Sequence, residues 1–232
     1  MLSSSAFEQR LDYIQERIHL ASMKAGRNPK NITLVAITKA FPAEIWKRAL
    51  RANLNTLGES RIQEAQGKSD IFLQRDKIEL HFIGHLQSNK AQKAVKLFDV
   101  IQTVDSIKLA NQLDHICGKV LKKQAIFIQV NAGADPKKHG VSVENVTSVT
   151  REISKMKNLK LCGIMTIPPR DLTETELSQV YRKTRKIRDE ICNSINDQCK
   201  NISMGMSGDY EIAITEGSTH VRIGTGLFGP RQ

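Results

Sequence analysis

Apolar, β-branched runs recur along the chain, and between them apolar residues return every three or four positions. The runs are "ITLVAIT" (32–38), "TLGE" (56–59), "LHFIG" (80–84), "VIQTV" (100–104), "AIFIQVN" (125–131), "LKLCGIMT" (159–166), "ISMGM" (202–206) and "HVRIGT" (220–225). Several are continuously apolar, as expected of strands covered on both faces. Phe7, Leu11, Ile14, Ile18 and Ala21 mark a helix ahead of the first run, with Ser5 and Glu8 set for a capping box and Gly26 for its stop. Further helical stripes are Leu109, Leu113 and Ile116, opened near Asp105, and Val146, Val149, Ile153 and Met156, opened near Ser142. Another is Leu177, Val180, Tyr181, Thr184, Ile187, Ile191 and Ile195, and Gly217 closes a short helix over 209–216.

Eight strand–helix units predict the α/β class and a single (β/α)8 TIM barrel with an extra N-terminal helix. The 232 residues are close to the ~250 typical of that fold. No low-complexity tract or long Pro/Gly-rich linker interrupts them, so one domain over 1–232 is expected. An open doubly wound sheet is the alternative. Even spacing, and a chain that ends just after the eighth run, favour closure.

In this fold chemistry collects at the C-terminal ends of the strands. Lys39 stands at the end of the first run and shares the parity of Val35 and Ile37. The second run ends at Glu59, the third at Gly84-His85, the fifth at Asn131 and the sixth at Met165-Thr166. "SMGMSGD" (203–209) and "RIGTG" (222–226) end the last two. Loops after strands seven and eight of such barrels frequently bind phosphate. Glycine admits the anion to the backbone, helix N-termini present N–H groups, and Ser207 and Thr225 add hydroxyls. Turn-making alone is the competing account of Gly208, Gly224 and Gly226. Burial lowers a lysine's pKa and frees its amine to attack a carbonyl. A phosphate cradle across the same mouth then suggests a phosphorylated aldehyde, and pyridoxal 5′-phosphate fits both. The bland account of Lys39 is a snorkelling strand-end lysine. Arg222 shares the parity of Gly224. Against a pyridine nitrogen, a guanidinium favours the unprotonated ring, a poorer electron sink. Its bland account is an ordinary ion pair.

Composition removes other classes. The net charge of +11 is spread along the chain. Its densest run, "RKTRKIR" (182–188), reads as the solvated face of an amphipathic helix, and with 5% aromatic residues no specific nucleic-acid partner is expected. No apolar run reaches the ~20 residues of a membrane span. The N-terminus lacks a signal-peptide pattern. Cys117, Cys162, Cys192 and Cys199 form no C-x-x-C pair, and the histidines add no metal-ligand spacing. A cytoplasmic monomer with reduced thiols and no metal is expected.

"LVAITKAFP" around Lys39, "LGESRIQEAQGK" (57–68), "HFIGHLQSNK" (81–90), "QVN" (129–131), "GIMTIPP" (163–169) and "SMGMSGDYEIAITEGSTHVRIGTGLFG" (203–229) together resemble the YggS/PROSC family, the pyridoxal phosphate homeostasis proteins. The similarity runs from "LVAITK" to the C-terminal "GTGLFGPR". It implies a barrel like the N-terminal domain of alanine racemase and an internal aldimine on Lys39. It also implies phosphate contacts around Ser207, Gly224 and Thr225, with Gly208 in the same turn, and Arg222 near the pyridine nitrogen. Ser60 stands where the family commonly has asparagine.

The resemblance implies a non-catalytic protein that holds, buffers or delivers pyridoxal 5′-phosphate, with apo forms of enzymes using it as partners. The alternative is a racemase of low activity. That chemistry generally needs a second acid/base opposite the lysine. Alanine racemase takes this tyrosine from a C-terminal domain that the chain has no residues left to build, and Tyr13, Tyr181 and Tyr210 look like packing residues. A cofactor-free Schiff-base aldolase is a third reading. Ser88, Asn89 and Lys90 either close over the cofactor or meet a receiving enzyme, or Ser88 simply caps a helix. Lys137 and Lys138 read as solvated loop charges.

Overall fold

The computed structural model describes residues 2–230, so Arg231 of the C-terminal motif lies outside the described residues. The chain opens with α1 (Ser4–Lys24), then alternates: β1 (Thr33–Ile37), α2 (Glu44–Arg51), β2 (Thr56–Glu59), α3 (Ile62–Ile71), β3 (Glu79–Phe82), α4 (Ala91–Leu97), β4 (Val100–Val104) and α5 (Ile107–Lys119). It continues through β5 (Gln124–Gln129), α6 (Val146–Ser154), β6 (Leu159–Met165), α7 (Glu174–Ser194), β7 (Asn201–Met206), α8 (Tyr210–Thr215), β8 (His220–Ile223) and α9 (Thr225–Phe228). The strands pair in chain order, all parallel, and β8 returns to β1 to close the barrel, with Val35 opposite Arg222 and Ala36 opposite Ile223.

Alternation along each strand sorts the side chains into two layers. Ala36, Leu80, Ile101, Ile126, Ile164, Ile202 and Ile223 face outward and pack with the helices in the main apolar cluster. The inward positions carry a small second cluster of Val100, Phe127 and Met165. The remaining inward positions are largely polar and buried, among them His81, Gln102, Ser203 and Arg222. Continuous apolar runs, expected from strands such as 125–131, are therefore only part of the pattern.

α1 seats in the outer ring against α8 and α9. Phe7 stacks on Phe228 at 5.6 Å, and Arg17 pairs with Glu211. Its cap differs from expectation: Ser3, not Ser5, accepts the Ala6 N–H at 3.2 Å, and the helix starts at Ser4. Ser106 rather than Asp105 caps α5, and α6 begins at Val146 without a side-chain cap. In α7 a capping box of Thr173 and Glu176 fixes the start, and Tyr181, Thr184, Ile187 and Ile191 form the buried stripe.

Candidate functional site

β1 stops at Ile37, and Lys39 lies in the turn beyond it, half-buried, before Ala40 at φ +62°. The backbone on both sides of Lys39 is held by one cluster from β2 and α3. Lys68 Nζ donates to the Thr38 carbonyl at 2.8 Å, to Glu59 Oε1 at 2.6 Å and to Glu64 Oε1 at 2.8 Å. Glu64 in turn accepts the Ala40 N–H. Thr38 Oγ1 donates to Glu59 Oε1 at 2.7 Å, and Trp46 Nε1 donates to Thr38 Oγ1 at 3.1 Å. Glu59 is fully buried; desolvation pushes its carboxyl above the ordinary range, with the Lys68 ammonium pulling the other way. The sequence marks Glu59 only as a strand end and does not by itself reveal this cluster. The available signal was Glu64 and Lys68, four apart on a helix just after a strand-ending carboxylate.

Ile37 connects this turn to the other side of the site. A Cβ at Gly224 of the β8 end would lie 3.3 Å from Ile37 Cβ, and one at Gly58 only 2.5 Å from Ile37 Cδ1. A side chain at Gly224 would therefore crowd Ile37, which would have to give by a few tenths of an ångström. Gly208 differs: a Cβ there would meet nothing within 4 Å, so its backbone faces open space. Ser207 Oγ ties the two loops together by accepting the Gly226 N–H at 3.2 Å. Asp209 Oδ1 braces the same turn by accepting the Met206 N–H at 2.5 Å. α8 and α9 have six and four residues, so they add little macrodipole. What the rim offers an anion is backbone at Gly208, the Ser207 and exposed Thr225 hydroxyls, and a nearby cation. That cation is Arg10 of α1, whose Nη1 donates to the carbonyls of Thr225 and Gly226, each at 3.3 Å. Nothing local in the sequence links Arg10 to residues more than two hundred positions later.

Arg222 lies inside the barrel, 4% exposed. Nη1 donates to Ser203 Oγ at 2.8 Å and Nη2 to the Thr166 carbonyl at 3.0 Å. Ser203 Oγ passes the chain to Gln102 Oε1 at 2.7 Å, and Gln102 Nε2 meets His81 Nδ1 at 2.6 Å. Among the described residues no carboxylate pairs with Arg222, so the ordinary ion pair is not present. Desolvation lowers its pKa, opposed by the nearby Tyr181 and Asp209. Below it, burial and His81 push His220 down to about 3, so that ring is neutral.

The structure thus brings Lys39, Ser207, Gly208, Gly224 and Thr225 to one rim on three neighbouring strands, β7, β8 and β1, with Arg222 beneath them. Ser88, Asn89 and Lys90 form a 3-10 turn whose N-cap is Gln87; Ser88 contributes its carbonyl, which accepts from Gln112 Nε2 at 2.8 Å. Ser60 packs its backbone against Gly84, where a Cβ would come within 2.1 Å of the Ser60 carbonyl oxygen. Lys137 is exposed as expected. Lys138 is not a solvated loop charge: it donates to the Pro168 carbonyl at 2.6 Å, and desolvation lowers its pKa. The loop 131–141 folds back on the sixth strand's exit, which the sequence does not reveal.

A closed eight-stranded parallel barrel with these features on its C-terminal rim is of the alanine racemase N-terminal type, and a family model described as "Alanine racemase, N-terminal domain" matches residues 10–232. Alanine racemase from Clostridium difficile 630 superposes with a TM-score of 0.69 at 17% identity, over 96% of this chain and 57% of that one. The chain belongs to the family of pyridoxal phosphate homeostasis proteins. The Aquifex aeolicus protein of that name is 36% identical over 224 residues, covering 97% of this chain and 98% of its own. PipY of Synechococcus elongatus PCC7942, whose structure has pyridoxal phosphate bound, superposes with a TM-score of 0.82 at 33% identity, over 93% of this chain and 100% of that one.

Proposed function

We propose that this chain is a non-catalytic, single-domain carrier of pyridoxal 5′-phosphate, attached covalently through Lys39, that buffers the cofactor and delivers it to apo enzymes. The observation that carries the reading is the shared rim: Lys39 in its clamped turn stands beside the β7 and β8 loops, on strands that neighbour one another around the barrel. The relatives' names and the cofactor in PipY point the same way.

When bound, the cofactor supplies an aldehyde and an electron-accepting ring. Lys39 provides the amine, with its turn held in place by Lys68 and Glu64. Ser207, Gly208, Gly224 and Thr225 would hold the phosphate. Arg222, which has donors only, would stand at the pyridine nitrogen and would leave the ring unprotonated and weak as an electron sink. That disposition suits holding rather than turnover. The three tyrosines supply no second acid/base. Tyr13 is exposed on α1, 60% accessible. Tyr181 is fully buried with its phenol pKa raised by desolvation. Tyr210 packs toward Tyr13 and Arg17, pushed up to about 12 by burial.

The test is the absorption spectrum of purified protein reconstituted with pyridoxal 5′-phosphate, before and after Lys39→Ala. The wild type is expected to show the near-violet band of a lysine-linked cofactor, and the variant to lose it with an unchanged far-UV circular dichroism spectrum. A band that persists moves the attachment elsewhere, with Lys138 first in line. Formation of D-alanine from L-alanine would overturn the non-catalytic part.

A further inference from the structure

We propose that His85, Asp105 and His139 form a binding site for a divalent transition-metal ion of the Zn2+ type, on the opposite sector of the rim. His85 follows β3, Asp105 follows β4 directly, and His139 lies in the loop that returns to β5 through the Val130–Val141 bridge. One ligand atom from each lies within 4.8 Å of the other two. His85 Nδ1 is 3.5 Å from Asp105 Oδ2, and the two imidazoles stack at 3.8 Å with an interplanar angle of 11°. Sequence spacing cannot show this set, because its members are 20 and 34 residues apart (85 to 105, 105 to 139).

The backbone beneath each histidine is braced. The Gly84 carbonyl, next to His85, accepts from Thr103 Oγ1 of β4 at 2.6 Å, two residues before Asp105. A Cβ on Gly84 would collide with the Ser60 backbone, so this loop cannot shift toward β2. The His139 carbonyl accepts from Gln129 Nε2 at 3.0 Å, and Gly140 follows at φ +133° against the Asn131 backbone. The main chain is set while the rings stay exposed. Asp105, by contrast, is largely covered, its side chain 16% accessible.

The donor set selects the ion. Two imidazoles and one carboxylate suit Zn2+, Co2+ or Ni2+, whereas Mg2+ and Ca2+ favour oxygen-only shells. Tetrahedral Zn2+ with bonds near 2.0–2.1 Å places its donors about 3.3 Å apart. The widest gap must therefore close by at most about 1.5 Å, and the stack must open so that each ring points its lone pair at the ion. His139 is exposed, so rotation of its ring is the movement that would open the stack. Three protein ligands leave a fourth position open at the barrel mouth.

The test is a calorimetric titration of metal-stripped, full-length protein with ZnCl2, paired with visible spectroscopy of added Co2+ and with MgCl2 as control. One equivalent of Zn2+ is expected, with Co2+ d–d bands and no saturable Mg2+ signal. His139→Ala, His85→Ala and Asp105→Asn should each weaken binding by at least ~10–100-fold, the loss already seen for groups one shell further out. Circular dichroism checks that each stays folded, and Lys39→Ala should bind Zn2+ like the wild type, which separates this site from the cofactor reading. Absence of a saturable single site, or affinity unchanged in both His139→Ala and Asp105→Asn, would overturn the proposal.

Discussion

Replacing Lys68 by methionine leaves the Glu59 carboxyl buried without its cation. Lys68 is 5% exposed and Glu59 0%, and Glu59 Oε2 has no hydrogen-bond partner, so the ammonium at 2.6 Å is the main compensation for that charge. Breaking such a pair from one side costs ~3–5 kcal/mol. The variant has one escape, which is to protonate Glu59. From an unfolded value of 4.5, that costs about 1.4 kcal/mol per pH unit, or about 3.4 kcal/mol at pH 7 and about 1.4 at pH 5.5. The sign follows from the raised carboxyl. Its contribution is present in full below the unfolded value and is lost as pH rises through the folded value, which Lys68→Met raises further. The penalty should therefore grow with pH. Urea unfolding followed by circular dichroism reads it: with a slope of about 3 kcal/mol/M, the midpoint should fall by about 1 M at pH 7 and by roughly half that at pH 5.5. The double variant Glu59→Gln, Lys68→Met should recover much of the loss, because neither partner is left charged. A penalty below ~1 kcal/mol at pH 7, or one that increases as pH falls, would refute the account of how this turn is held.

Gly205→Ala should destabilise by about 2–4 kcal/mol, since φ is +91° and the new Cβ would sit 2.6 Å from Ala213 Cβ; calorimetry should show Tm lowered by roughly 5–15 °C. His220, pushed down to about 3 by burial, should show no imidazole titration by NMR between pH 5 and 8. The stability this neutral ring contributes is present above its ordinary 6.5 and is lost as pH falls toward 3, so acid unfolding should be milder in His220→Phe. Thiol reagents should modify the half-buried Cys162 and Cys192 in the native protein and reach Cys117 and Cys199 only on unfolding, the Cys199 thiol being pushed up to about 12 by burial.

Strand positions were legible because each outward-facing row must be apolar to meet a helix. β2 and β4 fall at 56–59 and 100–104 as the pattern predicts. The errors are local and have causes. The first run loses Thr38 because that side chain turns to Glu59 and the backbone breaks at Ala40. The first cap moves from Ser5 to Ser3 because three consecutive serines offer the same hydroxyl, and the register that stacks Phe7 on Phe228 selects among them. Lys138 departs from the expectation because its hydrogen-bond partner, the Pro168 carbonyl, lies 30 residues away.

The rim residues Lys39, Ser207, Gly208, Gly224 and Thr225 were legible for a different reason. Barrel topology sends every strand's C-terminal end to one face, so strand order alone gathers them. Sequence by itself therefore determined the fold, the rim and the residues that reach it from the strand ends. Only the tertiary structure decided what stands behind them: the Glu59–Lys68 clamp, the polar relay from Arg222 to His81, Arg10 beside the last loop, and the His85–Asp105–His139 group. Each depends on groups from different elements coming together, at hydrogen-bond reach in the first three and within 4.8 Å in the last, and periodicity along one strand or helix carries no information about that distance.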